Sequence, residues 1–557
     1  MSYTDNFPYE TYRKYQKKII EEIEDKFENK DNEVMIIEAP PGFGKSAVNV
    51  AVAKSFNSAY IITTQKVLQD FYGDEYKLPV IKGRQNYTCL ITGGTADSGP
   101  CQLITPKIPD KKTSQKNFNF NHSDYFCKRK DECPYEIAKK ECADSPVCVM
   151  NMTYSFHMPP EFTDRELIIV DEAHNLDDTI LDFVTKTIKK TDILKDTPTN
   201  TTIQECIGYM MSKRKEMLDN IELNSIKQKR IGEKLIYKIK QEEKGKNKKE
   251  KMSGELRREV EKGMNQISKI HFKIDEEKNI LSQIEELDSE ISKGHEWVAE
   301  DNLTSIKFTP LTVGRFLNKL LWERGNKILC TSATFLDKDR FMKETGLNGK
   351  TATFISVPSS FNKKNRLIYY IQTGKMSYNH REKTLPILAK KLSQICEEYK
   401  GDNIIVHAHT YKNINDLARL IKTDKRVMLQ SKIDREKSLD NFKNGKNRIF
   451  LSVKMTEGID LKDDMCRVNI LAKVPFGITV DKRIKQRMKK DIKWYYWKTI
   501  IEIVQAYGRT TRSEYDYSDT YILDNDFGRL YNNNTKMFPE WFREALIWED
   551  KQSQSHN

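Results

Sequence analysis

The stretch VMIIEAPPGFGKSAVNVAVAKSF, residues 34–56, reads as a buried strand, a glycine-containing loop and a helix. That order is what a phosphate-binding loop requires. Gly42 and Gly44 let backbone N–H groups turn toward a β-phosphate, with the helix N-terminus behind them. Lys45 is placed to reach the β- and γ-phosphates and Ser46 to ligate Mg²⁺. Ala39 stands where the strict motif has its first glycine, so the loop is read from its context as well as its letters. A second stretch, LIIVDEAHN at 167–175, ends a buried strand on an acidic pair. Asp171 suits the metal ion, and Glu172 suits orienting and deprotonating a water. His174 follows in the same D-E-A-H string.

Working outward, short apolar runs recur in two sets. VMIIEA at 34, AYIITT at 59, ELIIVDEA at 166 and KILCTSAT at 327 form the first. NIIVHAHT at 403, RVMLQS at 426, RIFLSVK at 448, RVNILAK at 467 and DTYILDND at 519 form the second. Runs apolar on both faces, separated by helical patterns, predict strands of parallel sheets and hence two α/β domains. Residues 180–300 interrupt the first set and read as helix. Val260, Ile267, Ile274 and Leu281 repeat every seven residues, with Ile270, Ile284 and Ile291 as a second seam. Gly263 and Glu277 weaken that pattern, and KGKNKKEKMSG at 244–254 reads as the turn of an antiparallel hairpin.

The 557 residues allow about three or four domains. Hydrophobic residues make up 38% and charged residues 31%, enough apolar material for cores beneath a polar surface. The net charge of +13 points to a polyanionic partner, or to a lysine-rich solvated surface. No apolar run approaches a membrane span, and MSYTDNFPYE is neither basic nor apolar as a signal peptide is. The expectation is an intracellular protein with reduced thiols. Six of ten cysteines nevertheless lie between 89 and 148. Four thiolates there suit either Zn²⁺ or an iron–sulfur cluster, and spacing alone leaves both open.

The ordered motifs resemble those of superfamily 2 helicases, specifically the XPD/DinG branch. YRKYQKKI at 12–19 is similar to an adenine-reading Q motif, with Arg13 and Gln16; TTQKVLQD at 63–70 resembles motif Ia and TSAT at 331–334 motif III. VHAHTYKNINDL at 406–417 resembles motif IV, MTEGIDLKDD at 455–464 motif V and QAYGRTTRS at 505–513 motif VI. VPSSF at 357–361 and KVPFG at 473–477 are further signatures of the branch. Arg509 and Arg512 lie three apart, so on a helix they share a face and suit arginine fingers for a γ-phosphate held by the other domain. Where the branch usually has Pro-Thr-Gly-Ser/Thr-Gly-Lys-Thr, this chain has Pro-Pro-Gly-Phe-Gly-Lys-Ser; Pro41 costs one N–H but no phosphate ligand.

The resemblance implies an α/β fold of two RecA-like parallel-sheet motor domains, with an inserted Fe–S domain and an inserted helical arch domain. It maps motor domain 1 to 1–85, 151–179 and 301–345, the Fe–S domain to 86–150, the arch to 180–300 and motor domain 2 to 346–557. KGRQNYTC and CPYEIAKK match the two ends of the Fe–S insertion, which implies a [4Fe–4S] cluster on Cys89, Cys101, Cys127 and Cys133. Cys142 and Cys148 read as small buried hydrophobes and stand as alternates for Cys101 or Cys127. The implied cofactors are ATP, Mg²⁺ and the cluster. The nucleotide set is Arg13, Gln16, Gly42, Gly44, Lys45, Ser46, Gly458, Asp460 and Gln505; the chemistry falls to Lys45, Asp171, Glu172, His174, Arg509 and Arg512. Thr63, Thr64 and Gln65 resemble strand-contacting positions, and Tyr87, Phe118, Phe120, Tyr125 and Phe126 are available for base stacking. The implied activity is 5′→3′ translocation on single-stranded DNA and unwinding of forked duplex by a monomeric motor without a membrane partner. The alternatives are an ATP-driven remodelling translocase without processive unwinding and a non-catalytic scaffold. The implied location is the cytoplasm, associated with the nucleoid, in a prokaryote or virus, and the nucleus in a eukaryote.

Overall fold

The computed structural model describes residues 2–29, 32–99, 101, 129–199, 201–244, 254–453, 461, 463–508, 511 and 515–549. In chain order the first strands are β1 Val34–Glu38, β2 Ala59–Thr63, β3 Val80–Ile81, β4 Val147–Asn151 and β5 Arg165–Asp171. Then come β6 Lys186–Lys189, β7 Trp297–Asp301, β8 Ser305–Pro310, β9 Gly325–Ser332 and β10 Ala352–Ser356. The last are β11 Ile368–Gly374, β12 Ile404–His407, β13 Arg426–Leu429, β14 Arg448–Ser452, β15 Val468–Leu471, β16 Asp519–Asp524 and β17 Leu546–Glu549. The helices that matter below are α1 Gln16–Asn29, α2 Lys45–Lys54, α3 Lys66–Tyr76, α4 Pro134–Asp144, α5 Leu176–Val184, α6 Arg214–Lys244, α7 Gly254–Ser292, α8 Lys482–Lys490 and α9 Ile492–Tyr507.

The chain divides into two compact units, one of 1–180, 313–478 and 488–557, the other of 181–312 and 479–487. The first unit holds two seven-stranded sheets of parallel pairs. Their orders are β10-β1-β9-β5-β2-β4-β3 and β13-β14-β12-β15-β16-β11-β17. These are the two RecA-like lobes expected. All nine apolar runs form strands, and every residue of β1 and β2 is buried because helices cover both faces. Met35, Ile37, Ile61, Ile169 and Leu329 share one face of the first sheet and pack against Ile19, Ile23, Val48 and Val52 of α1 and α2. In the second lobe, Ile404, Val406, Ile449 and Ile470 pack on Leu385, Leu388 and Leu392, while Ile500, Ile503 and Val504 of α9 join Ile368, Leu471 and Ile522.

Several boundaries differ from those expected. The first lobe does not stop at 345, because β10 pairs with β1 and places Ser356 opposite Glu38. This edge strand is half-exposed and has no long apolar run to announce it. β4 is a strand of the same sheet, between β2 and β3, so the motor sheet already begins before 150.

The second unit joins a helical hairpin to the antiparallel sheet β6-β8-β7. It extends past 300 to Thr312 and adds Thr479–Arg487, where Arg483 Nε donates to the Pro310 carbonyl at 3.0 Å. The helices run antiparallel: Arg214 pairs with Glu285 at 2.7 Å, and Lys238 pairs with Glu259 near the other end. The expected turn falls mostly outside the described residues. Ile267, Ile274, Leu281 and Ile284 of the expected heptads are buried, whereas Val260, Ile270 and Ile291 are half-buried and Leu256, Ile280 and Leu287 are buried in their stead. Gly263 does not weaken that seam; it allows close approach, since a Cβ there would lie 2.6 Å from Leu235 Cδ1. Among the described residues no helix is long and apolar enough to cross a membrane.

Gly263→Leu should therefore overpack the hairpin and lower its stability by about 1–3 kcal/mol, despite leucine's better helix propensity. Chemical unfolding followed by circular dichroism checks this; an unchanged midpoint would mean the helices separate at no cost.

Candidate nucleotide site and cysteine cluster

The loop between β1 and α2 carries Gly42 at φ +80° and Gly44 at φ +84°, both left-handed. A Cβ on Gly44 would also stand 2.6 Å from the Gln16 side-chain nitrogen, so glycine is required there twice over. Gln16, 2% exposed, donates its amide to the carbonyls of Phe43 at 2.9 Å and Gly44 at 3.3 Å. Its oxygen accepts from Arg13 N at 2.7 Å, while Arg13 Nη1 donates to the Gly42 carbonyl at 2.8 Å. Both Q-motif residues thus brace the loop from behind.

Lys45 Nζ lies 3.2 Å from Glu172 Oε1. Asp171, 2% exposed, is held by a network with no counterpart in the sequence reading. Its Oδ2 accepts from the Tyr72 hydroxyl at 2.8 Å and its Oδ1 from the Thr331 hydroxyl at 3.1 Å. Asn49 Nδ2 donates to both hydroxyl oxygens at 3.0 Å, which turns both hydroxyl protons toward the carboxylate. Ser46 also bonds the Tyr72 hydroxyl, so the two expected metal ligands share one neighbour. Burial pushes the Asp171 carboxyl upward and the adjacent Glu172 charge adds to this, while Lys45 and the two hydroxyls oppose it. Asn49 is the one polar residue among buried Ala and Val in α2, a signal that the composition of that helix carried.

Glu172 adopts φ +55°, a left-handed backbone uncommon for a non-glycine residue. The turn sends Asp171 into the network and Glu172 toward Lys45. His174 Nδ1 lies 2.7 Å from Ser332 Oγ and 3.2 Å from Glu172 Oε2. Ser332 also donates to Glu172 Oε2 at 3.4 Å, so the TSAT segment positions the acid–histidine pair. Glu38, likewise missed, ends β1 with its carboxylate accepting from Phe335 N at 2.8 Å, Leu336 N at 2.6 Å and Ser356 Oγ at 3.1 Å. Burial raises its pKa against those three donors.

The second lobe meets this edge through α9. Gln505 donates to Thr334 Oγ1, and Trp497 Nε1 donates to the Phe335 carbonyl at 2.9 Å. A Cβ on Gly508 would lie 2.7 Å from Pro41 Cγ. Gly508 and Thr511 line a small cavity with Pro40, Pro41, Arg366 and Tyr507. Arg509, Arg512, Gly458 and Asp460 lie outside the described residues.

The cysteine region is built on packing between its two ends. Arg84 stacks 4.1 Å from the Tyr135 ring centroid and pairs with Glu136 at 3.1 Å. Tyr87 meets Tyr135 edge-on at 5.6 Å, which joins the segments two residues from Cys89 and two from Cys133. A Cβ on Gly99 would lie 3.2 Å from Cys89 Sγ and 3.7 Å from Cys101 Sγ, so the two sulfurs flank one point. The Thr92 hydroxyl and the N–H groups of Thr92 and Ile91 hold the Cys89 thiol below its ordinary pKa. That turn, closed by Gly93 N donating to the Cys89 carbonyl at 2.9 Å, suits a thiolate ligand. Cys133 caps α4 ahead of Pro134. Cys127 and the aromatics Phe118, Phe120, Tyr125 and Phe126 lie outside the described residues. Among the described residues no three His, Cys, Asp or Glu side chains converge on one metal position. Cys142 and Cys148 are buried free thiols hydrogen-bonded to each other, and burial drives the Cys148 thiol well upward.

Comparison with known proteins agrees with this architecture. The helicase C-terminal domain family matches residues 392–545, and the type III restriction enzyme res subunit family matches 10–203. The ATP-dependent DNA helicase DinG of Photobacterium profundum is 25% identical over 240 residues, 39% of this chain and 34% of that protein. The chain thus spans about a third of the length of that relative. A solved XPD helicase superposes with a TM-score of 0.59 at 17% identity, covering 97% of this chain and 100% of that one. In fold this chain is similar to the XPD helicases. Xpd4 of S. tokodaii gives 0.56 at 16% identity, again over 97% of this chain and 100% of that one. In this XPD-like fold α9 of the second lobe meets the TSAT segment and, through Gly508, the phosphate loop at the edge of the first sheet.

Tyr72→Phe removes one donor from Asp171 without opening a cavity. It should raise the Mg²⁺ concentration for half-maximal nucleotide binding severalfold, read by fluorescent-nucleotide titration at graded Mg²⁺. An unchanged Mg²⁺ requirement would leave Tyr72 as packing only.

Proposed function

We propose that this protein is an ATP-dependent DNA helicase that hydrolyses ATP between its two RecA-like lobes and moves 5′→3′ along single-stranded DNA to open forked duplex. The observation that carries this reading is the convergence of Lys45, Asp171 and Glu172 with the stretch of α9 that ends at Gly508 beside Pro41. The triphosphate enters over the loop amides and draws Lys45 away from Glu172. Glu172 is then free to accept a proton from the attacking water, held by His174 and Ser332. Mg²⁺, when bound by Ser46 and Asp171, neutralises charge on the β- and γ-phosphates. Arg509 and Arg512, immediately after the docked helix, serve as arginine fingers, a device worth about 10³–10⁵ in rate. Gly458 and Asp460 couple the nucleotide to the strand, and Gln505 links the second lobe to Thr334.

Cys89, Cys101, Cys127 and Cys133 hold a [4Fe–4S] cluster; the paired thiols at Gly99 and the thiolate-stabilising turn at Cys89 support that set over Cys142 and Cys148, which are spent on each other. The cluster, when bound, cross-links a polar loop region and turns metal-binding energy into folding energy. Thr63, Thr64 and Gln65, at the end of β2, contact the strand, and net charge favours the polyanion.

Lys45→Ala should abolish DNA-stimulated ATPase, and retained turnover would remove the motor assignment. Only 5′-tailed duplex should be opened by the parent; opening of 3′-tailed duplex alone would reverse the polarity. Protein purified without oxygen should be brown and contain iron and sulfide, and Cys89→Ser should lose both. Stoichiometric zinc in a colourless preparation would replace the cluster assignment.

A further inference from the structure

The second lobe is joined to the first by a partly buried charge cluster that lies outside the motifs quoted above. Lys498 Nζ, on α9, donates to Asp177 Oδ1 at 2.9 Å, Asp177 Oδ2 at 3.1 Å and Asp178 Oδ2 at 2.8 Å. The Asp177 side chain is 5% exposed and the Lys498 side chain 18%. Both aspartates lie in the first turn of α5, directly after the D-E-A-H segment, so Asp177 is three residues from His174. Lys498 precedes Gln505 by seven residues, two helical turns, which puts them on one face of α9. Along that face the helix touches three parts of the nucleotide edge: Asp177 and Asp178 beside the acidic motif, Thr334 of the TSAT segment and, through Gly508, Pro41 of the phosphate loop. Arg340 and Asp491, the N-cap of α9, add an ion pair at the helix start.

We infer that Lys498 is a positioning residue for ATP turnover: clamped by Asp177 and Asp178, it fixes the register of α9 against the first lobe and so sets where the segment after Gly508 meets the triphosphate. The inference rests on the proposed motor reading of Arg509 and Arg512. A buried ion cluster adds little net stability compared with apolar packing, but it tolerates only one alignment of its members. An apolar contact would let α9 slide; two carboxylates that both need one ammonium do not. A rigid helix carries a displacement at Lys498 to its far end, and misplacement by an ångström can cost about a hundredfold in rate.

Three variants test this. Lys498→Met should lower DNA-stimulated kcat about tenfold or more while KM for ATP changes by less than about twofold, because none of the three residues lies in the phosphate loop or the Q motif. Asp178→Asn, which removes the more exposed arm, should lower kcat by a smaller factor without affecting the fold. The triple variant Lys498→Met, Asp177→Asn, Asp178→Asn has no unpaired charge and should melt near the parent, yet remain slow. A triple variant or a folded Lys498→Met that turns over like the parent would overturn the inference and leave the cluster as charge compensation alone. If Lys498→Met does not fold, the other two decide. Arg509→Ala separates the two readings: its retained turnover would remove the motor assignment, whereas a dead Arg509→Ala beside an active triple variant removes only the role of Lys498.

Discussion

Everything at the nucleotide edge depends on the register of parallel strands. β2 and β5 set Thr63 opposite Asp171, β5 and β9 set Asp171 opposite Thr331, and β9 and β1 set Ser332 opposite Glu38. Four motifs far apart in the chain thus end in one row at the carboxyl ends of the strands, where open α/β sheets bind ligands. A slip of one residue in any pair would turn its side chains to the other face.

The row concentrates acids where water is scarce, and each acid is matched differently. Glu38 is satisfied by backbone and serine donors and closes the TSAT loop over the sheet. Asp171 is satisfied by two hydroxyls whose protons are aimed by Asn49. Glu172, turned outward by its left-handed backbone, meets Lys45, His174 and Ser332. It is the most exposed of the three, which suits a group that exchanges partners.

The cysteine region is tied to this edge through the same sheet. Arg165, at the start of β5, donates to the carbonyls of Cys142, Ala143, Ser145 and Pro146 and so caps the end of α4. It also stacks on Tyr60 of β2, 4.9 Å from the ring centroid. The helix that begins at Cys133 is thereby anchored to the strand that ends at Asp171. The described part of the thiol region is thus joined to the first lobe through packed elements.

The sequence by itself determined the parts whose signal is local. A strand, glycine loop and helix at 34–56, an acidic pair closing a strand at 171 and 172, and apolar runs of strand length fix two parallel-sheet lobes, because burial on both faces leaves a continuous hydrophobic record. Tertiary structure decided the rest. Tyr72 and Glu38 look like ordinary residues of α3 and β1, and Asn49 only like an odd polar residue in α2, until the fold brings them to Asp171 and to the TSAT loop. Gly263 reads as a flaw in a heptad until Leu235 is seen to fill its place. The edge strand β10, half-exposed, leaves no long apolar run. Lys498 is one lysine among many in a basic chain; only the docking of α9 makes it the counterion of two buried-edge aspartates, since charge pairing between elements more than 300 residues apart has no periodicity to read.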